Sequence, residues 1–293
     1  MAWTLTGDVA EYLTAAGGFL RAQAAQNTVQ LVATETIRVR GVAAFGDEAP
    51  LFGWWAAGGP VTVAFMHTPP FGVTLTPAPA GVAAALAGIL AARGRFLTGV
   101  MADTTTAPSF AAAWEQRTGQ PFRPGRRTRM YRLGRLQLPD PAPPGRARVA
   151  APADSGLLVA WLEAFHYEAV NEGRPANERT VADRLSYGGL TLWETGDGPV
   201  SLAGVTRAVA GQARIGPVYT PPGRRGQGFG GAVTAAVSQA AKDAGVADVL
   251  LYTDLANPTS NALYQRLGYE PVSDSIQLLF LAASVSRLSH HVD

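Results

Sequence analysis

One segment, a glycine-rich turn between a strand and a helix, constrains the fold of this sequence more than any other. Five glycines fall within residues 223–231. The residues before the turn, 215–220, have the character of a strand, and those after it, 229–244, place apolar side chains four apart on one helix face. Glycine adopts positive φ readily and lets a ligand come close to the backbone. The sequence therefore predicts a strand–turn–helix unit that is open to close approach at the turn.

The start of that helix has the features of an anion site. No Ser, Thr, Asp or Asn precedes it to cap its first amides. An anion satisfies such amides well, because the helix dipole also favours negative charge there. Arg224 and Arg225 add cationic donors suited to phosphate oxygens. A flexible turn with solvated arginines is the plainer alternative, but the position between strand and helix favours a pyrophosphate site.

Two common phosphate-binding loops are excluded by spacing. No Gly-Lys-Ser/Thr follows the turn, so it is not a Walker loop. The run Gly226-Gln227-Gly228-Phe229-Gly230 lacks the Gly-x-Gly-x-x-Gly spacing of a dinucleotide fingerprint. A phosphate site at this turn would therefore be of another kind.

Composition excludes several further classes of protein. The chain of 293 residues is 47% apolar and 16% charged, as in a globular protein with a sizeable core. It has no cysteine, which rules out disulfide scaffolds, thiolate metal sites and a cysteine acyl-enzyme. With 24 basic and 22 acidic residues we expect no nucleic-acid partner, and we predict no metal site. We find neither a signal peptide nor a transmembrane run, so we expect a cytoplasmic protein without a membrane partner.

A proline-rich stretch, residues 138–152, divides the sequence. It contains five prolines and no helical or strand period, as expected of a semi-rigid linker. It separates a predicted domain of residues 1–137 from one of residues 153–293. The element order of the second domain predicts a mixed α/β sheet with at least one strand–helix–strand crossover. The first repeats that order without repeating the residues, which indicates an internal duplication.

The predicted elements come from apolar periodicity and turn signals. The strands are 51–57, 61–67, 72–76, 96–101, 128–136, 190–194, 200–209, 212–220, 248–254 and 269–281. The helices are 9–25, 79–92, 107–118, 154–165, 177–187, 229–244 and 258–267.

Two segments of the second half resemble a known family. Arg225-x-x-Gly228-x-Gly230 after a strand is similar to the coenzyme A loop of the GNAT superfamily of N-acetyltransferases. The run from Asn257 to Tyr269 is similar to that superfamily's second cofactor segment, and the resemblance covers about residues 149–281. It implies the acyl-CoA N-acyltransferase fold, in two tandem copies if the first half is related. Residues 67–79, the matching part of the first half, have no arginine or glycine run, so we expect that copy to be degenerate for cofactor binding.

The resemblance implies acetyl-coenzyme A as co-substrate and assigns its contacts. In relatives the loop amides bind pyrophosphate, the preceding strand meets the pantetheine arm, and a later asparagine contacts either group. The residues so assigned are Val218, Tyr219, Arg224, Arg225, Gln227, Gly228, Gly230, Gly231 and Asn257. For Asn257 the alternative is a helix N-cap before Pro258, and both roles are compatible.

Tyr264 matches the tyrosine that relatives often use as general acid. A phenol near the thioester sulfur protonates the leaving thiolate or hydrogen-bonds its developing charge. The alternative is a core tyrosine packed on the sheet. No base is assigned by the resemblance; the carboxylates within reach are Glu168, Glu172 and Asp254, and His166 is a further candidate.

The leading functional hypothesis is transfer of an acetyl group to a primary amine by direct attack in a ternary complex. One alternative is a module that binds or senses acyl-coenzyme A without turnover, and another is an acyltransferase with a different donor. The acceptor stays open between small molecules and peptides, and no oligomeric state is assigned. Four aromatic residues either line an acceptor pocket or form core: Trp161, Phe165, Tyr167 and Trp193.

Overall fold

The computed structural model describes residues 2–170 and 177–281. Within them the strands are β1 (Ala2–Thr6), β2 (Leu51–Ala56), β3 (Val61–His67), β4 (Val73–Leu75), β5 (Gly99–Ala102), β6 (Phe122–Leu133), β7 (Arg146–Val149), β8 (Leu190–Thr195), β9 (Gly198–Val205), β10 (Gln212–Tyr219), β11 (Asp248–Asp254) and β12 (Tyr269–Phe280). The α-helices are α1 (Val9–Ala22), α2 (Thr28–Arg40), α3 (Ala80–Ala92), α4 (Thr106–Thr118), α5 (Ser155–Phe165), α6 (Glu178–Leu185), α7 (Phe229–Asp243) and α8 (Pro258–Arg266). A π-helical turn, His166–Val170, continues α5. In this described part of the chain, no helix combines the length and the apolar character that a membrane span requires.

The described residues form two compact units that do not coincide with the sequence halves. The first unit comprises residues 2–16, 45–126 and 275–281, and the second comprises 17–44, 127–170 and 177–274. Strands β6 and β12 are each divided between the units. Residues 127–133 of β6, from the first half of the sequence, belong to the second unit. Residues 275–280 of β12, from the second half, belong to the first unit. The division predicted at residues 138–152 stays a prediction, and the compact units combine segments from both sides of it.

The sheet of the first unit has the strand order β1-β2-β3-β4-β5, with residues 275–280 of β12 beside β5. Strands β4 and β5 are parallel and joined by α3, whereas the other neighbours are antiparallel. Helices α3 and α4 pack on this sheet through a core that includes Phe65, Leu86, Phe110 and Trp114. The alanines of α3 leave room for this close packing.

The sheet of the second unit has the order β6-β11-β10-β9-β8-β7, with residues 269–274 of β12 beside β6. Strands β10 and β11 are parallel and joined by α7. Helices α7 and α8 pack on one face through a cluster that contains Val233, Ile215 and Leu251. Helices α5 and α6 pack on the other face, against Leu192 and Leu202. The parallel pair therefore lies between two helical layers, as strands with both faces buried require.

The predicted mixed α/β class and the predicted order of elements are confirmed, with three differences. The stretch 138–152, predicted to hold no strand, contains β7; this strand is four residues long and depends on pairing with β8, where Arg148 bridges Asp154 at 2.7 Å and Glu194 at 3.1 Å. Strand β1 was not predicted. Helix α2 was not predicted either, because its many β-branched residues have low helix propensity; it forms by burying one face, including Leu31 and Ile37.

Candidate active site

Strands β10 and β11 separate near their carboxyl ends. Their parallel ladder begins at Gln212 and Asp248 and ends at Ile215 and Leu251, although both strands continue beyond. On its other side β10 pairs with β9, and that ladder shifts register between Ile215 and Val218. An irregularity of this kind bends a strand and increases its local twist. It therefore explains why the last residues of β10 turn away from β11.

The glycine-rich turn follows directly, between β10 and α7. Gly226 and Gly228 have φ of +75° and +83°, in the left-handed region that favours glycine. Gly228 is the N-cap of α7, and no side chain caps this helix. The first hydrogen bond of the helix is donated by the Ala232 amide to the Gly228 carbonyl at 3.0 Å. The amides of residues 229–231 therefore have no acceptor within the helix. The structure thus brings four predicted phosphate-binding residues together at an uncapped helix start: Gln227, Gly228, Gly230 and Gly231.

Both arginines of the turn are engaged by neighbouring groups. Arg225 Nε donates to the Thr220 carbonyl at 2.9 Å, and its Nη2 donates to Glu168. Arg224 Nη2 lies 3.6 Å from an oxygen of Asp197. The partners of both ion pairs are strongly exposed, and such pairs contribute about 1 kcal/mol or less. A phosphate group could therefore replace either carboxylate at little cost.

Val218 and Tyr219, predicted to meet the pantetheine arm, are the final residues of β10. Val218 pairs with Ala203 of β9. The Tyr219 side chain is buried, its Oη donates to Glu168 Oε1 at 3.1 Å, and its ring lies 6.1 Å from that of Trp161. Burial and the bond to Glu168 raise the pKa of Tyr219. The parted end of β10 thus carries an aromatic–carboxylate cluster on the α5 side.

The proline-rich segment passes beside the glycine turn. A Cβ placed on Gly228 would lie 3.7 Å from the ring of Pro143. The Pro144 carbonyl accepts a hydrogen bond from Trp193 Nε1 at 2.9 Å. This segment therefore forms one wall of the candidate site, which proline spacing alone could not reveal. Trp193 belongs to the cluster on the α7 face, whereas Trp161 packs on the α5 face, so these two aromatic residues do not share a pocket.

Asn257 begins α8 as its N-cap. Its Oδ1 accepts a hydrogen bond from the Ser260 amide at 3.0 Å, and Pro258 occupies the first helical position. The predicted capping role is confirmed. The predicted contact of this exposed side chain with coenzyme remains a prediction.

Tyr264 lies on α8 in the core beneath α7. It is 8% exposed, packs edge-to-face on Tyr269 with ring centroids 6.1 Å apart, and belongs to the same cluster as Val233. Its hydroxyl forms no hydrogen bond with the described residues, whereas Tyr269 Oη lies 2.6 Å from Ser238 Oγ. Burial raises the pKa of Tyr264 to about 12. Tyr264 is therefore a buried, protonated phenol, which suits either a core residue or a general acid.

Of the predicted bases, Glu168 lies at the site, through its bonds to Tyr219 and Arg225. His166 is buried beside Tyr167. Asp254 Oδ1 accepts a hydrogen bond from the Ala256 amide at the end of β11. Glu172 falls outside the described residues.

The parallel pair of the first unit has no such opening. The connection from β4 to α3 is short, and its Ala78 amide donates to Thr106 Oγ1 at 2.9 Å while Thr106 Oγ1 donates back to the Ala78 carbonyl at 3.3 Å. Thr106 is the first residue of α4 and is buried. The two connections that would flank a cofactor are thus tied together, in keeping with the predicted degenerate copy.

A comparison with protein families matches residues 198–277 to the family described as FR47-like protein. These residues run from β9 into β12 and include the parted strands, the glycine turn and Tyr264. No curated protein sequence matches the chain.

Solved structures resemble the chain over nearly its whole length. A Drosophila protein has a TM-score of 0.67 at 12% identity and covers 96% of this chain and 99% of its own. An acetyltransferase of the GNAT family from Colwellia psychrerythraea has a TM-score of 0.56 at 11% identity, covering 96% and 100%. A GCN5-related N-acetyltransferase from Sphaerobacter thermophilus has a TM-score of 0.56 at 19% identity, covering 95% of each chain.

Identities this low establish a shared fold, which is the acyl-CoA N-acyltransferase fold that the resemblance implied. Coverage of most of the chain is consistent with two tandem copies of it. The family match falls on the segment that carries the site. Residues 198–277 therefore match the FR47-like family, and the chain has the fold of solved GNAT-family acetyltransferases.

Proposed function

We propose that the second unit is an N-acetyltransferase that transfers an acetyl group from acetyl-coenzyme A to the primary amine of a small molecule or peptide. The observation that carries this proposal is the separation of β10 from β11 beside the uncapped start of α7. Unpaired strand ends offer main-chain hydrogen bonds to the amide-containing pantetheine arm. Free amides at a helix start, with the dipole behind them, offer hydrogen bonds to a pyrophosphate.

In the proposed reaction both substrates are bound together. The amine nitrogen attacks the thioester carbon, the carbon–sulfur bond breaks, and an amide forms. Tyr264 gives its proton to the leaving thiolate and is reprotonated from solvent; its phenol is protonated at neutral pH, as a general acid must be. The proton released by the amine passes to solvent, with Glu168 at the strand end as the nearest candidate acceptor. Glu168 would have to release Arg225 first, which coenzyme binding favours if the guanidinium turns to a phosphate.

Coenzyme binding is tested by giving α7 a cap of its own. In Gly228→Asp a carboxylate stands where the pyrophosphate should bind; Asp is a preferred N-cap residue and tolerates positive φ better than most. We expect calorimetry to show at least a tenfold weaker affinity for coenzyme A, with a modest fall in melting temperature because φ at Gly228 is +83°. Gly81→Asp, near the start of α3 in open space, is the matched control and should bind coenzyme like the wild type. Equal affinity in all three proteins would remove the pyrophosphate site.

Turnover is measured with a thiol reagent across a panel of amines. The chain has no cysteine, so every thiol that appears is released coenzyme A. Release that depends on both acetyl-coenzyme A and an amine supports the enzyme. Tight coenzyme binding without release for any amine or acyl donor would favour the binding or sensing module instead.

A further inference from the structure

Two arginines meet on the face of the second unit opposite α7, where β10 and β11 part. Arg214 directly precedes Ile215, the last residue of β10 that pairs with β11. Ile215 belongs to the core on the α7 face. Because neighbouring residues of a strand point to opposite faces, the Arg214 side chain lies on the α5–α6 face. Arg184 of α6 reaches the same place, where its Nη1 donates to the Gly216 carbonyl at 3.0 Å. A Cβ on Gly204 would come within 2.5 Å of that Nη1, so the guanidinium lies directly on β9 and β10.

Neither guanidinium forms an ion pair or hydrogen bond with a carboxylate among the described residues, although the Asp183 charge raises the pKa of Arg184. Other arginines of this unit are paired: Arg207 with Asp183 at 3.4 Å, and Arg129 with Asp274 at 2.7 Å. Arg184 uses one of its five donors on Gly216, and Arg214 lies 5.9 Å from the Tyr252 ring centroid.

This arrangement is energetically unfavourable without an anion. Burial lowers the pKa of both groups, and the charge of Arg184 lowers that of Arg214 further. A partly buried cation without a counterion costs free energy, and two close together cost more. Proteins that keep such a pair commonly use it to bind an anion, and the guanidinium plane matches the two oxygens of a carboxylate.

The place of the pair limits which anion it meets. The coenzyme phosphates belong at the start of α7, on the opposite face of the sheet. In the proposed binding mode, the groups that would reach the α5–α6 face at the parted strands are the acyl group and the attacking amine. An anion bound by Arg184 and Arg214 therefore comes from one of the two reacting molecules.

We propose that Arg184 and Arg214 bind a carboxylate carried by a substrate. The reaction would then join a coenzyme A-linked acyl group to an amine, and one of these two molecules would carry the carboxylate. This inference rests on the proposed function. The favoured source is the acceptor, an amino acid whose amine attacks the thioester while its carboxylate is held. The chemistry is unchanged: an amide forms, the carbon–sulfur bond breaks, and the carboxylate takes no part beyond positioning. The same pair would also accept an acyl group that ends in a carboxylate.

The two sources are separated by matched substrates. With acetyl-coenzyme A, amino acids are compared with the amines that lack only the carboxylate, such as phenylalanine against phenethylamine. With a neutral amine, succinyl-coenzyme A is compared with acetyl-coenzyme A. Thiol release should show at least a tenfold higher kcat/KM for the carboxylate-bearing member in one arm. Release without such a preference in either arm overturns this inference alone, and absence of release in both arms overturns it together with the proposed function.

Variants show whether the arginines cause the preference. In Arg214→Gln and Arg184→Gln the preference should fall to within about threefold, with the affinity for coenzyme A unchanged by calorimetry. Both variants should keep or raise the melting temperature, because an unpaired charge is removed. Arg207→Gln, which loses only a paired arginine, is the control and should keep the preference. A failure of the proposed function is distinguishable, since the wild type would then bind no coenzyme A or release no thiol with any amine.

Discussion

Replacing Tyr264 by Phe separates catalysis from folding unusually well at this site. The hydroxyl has no hydrogen-bond partner among the described residues, and the ring is packed in the core against Tyr269. Phe keeps that ring and removes only the hydroxyl. Since that hydroxyl has no hydrogen-bond partner among the described residues, we expect the free energy of unfolding to change by less than about 1 kcal/mol.

The magnitude of the catalytic effect follows from the rate that a positioned general acid contributes. Burial moves the pKa of Tyr264 from 10.0 to about 12. Two pKa units correspond to about 3 kcal/mol in favour of the neutral phenol, so only about one molecule in 10⁴ is ionised at pH 8. The acid is thus present at full occupancy, and a positioned general acid contributes about 10²–10⁴ in rate. Turnover of Tyr264→Phe should fall by that factor, and the wild type should keep Tyr264 protonated well above pH 10.

The assay is thiol release under saturating acetyl-coenzyme A, with coenzyme affinity from calorimetry and stability from urea unfolding. Tyr269→Phe is the matched control in the same core. It loses the bond to Ser238 and should lose about 1 kcal/mol of stability while keeping turnover. Normal turnover in Tyr264→Phe would show that Tyr264 is only a core residue, and equal losses in both variants would point to packing instead.

Two smaller predictions concern stability. Asn257→Ala removes the N-cap of α8 and should lower the free energy of unfolding by about 1 kcal/mol in urea titrations. Weaker coenzyme binding in the same variant would show that Asn257 also contacts the coenzyme. Burial, with the nearby Arg95 charge, lowers the pKa of His67 to about 4. The contribution of neutral His67 to the free energy of unfolding is therefore complete above about pH 6.5 and is lost as the pH falls through about 4. We expect the wild type to lose about 2 kcal/mol more stability than His67→Gln between pH 7 and pH 5; parallel losses would contradict the assigned pKa.

Local features of the site were predictable from the sequence, because their causes are local. The glycines of the turn and the missing cap before Phe229 mark a helix start that needs an outside partner. Asn257 followed by Pro258 marks the next helix start, and the structure has the cap there. Positive φ at Gly228 likewise follows from residue type and position.

Features that depend on distant partners were not predictable. Glu168 meets Arg225 across 57 positions of sequence, and neither residue carries a local sign of the other. The pairing of β6 with β11, and of β12 with β5, follows from tertiary packing, since a strand reads alike whichever neighbour it joins. Arg214 was visible as a charge on a strand, but its lack of a counterion became evident only with the fold.

If the first copy is degenerate, as predicted, the contrast between the two parallel pairs explains how it keeps the fold without the site. A β–α–β unit is stabilised by its apolar faces, which β4, α3 and β5 retain in full. A cofactor site needs strands that part and helix amides that lack a partner, and both features weaken the unit unless a ligand is present. Once ligand binding is no longer selected, substitutions that close the gap add stability, as the two Thr106–Ala78 hydrogen bonds do. The uncapped, glycine-rich start of α7 is thus the costly arrangement, and its presence in the second unit is itself an argument that a ligand binds there.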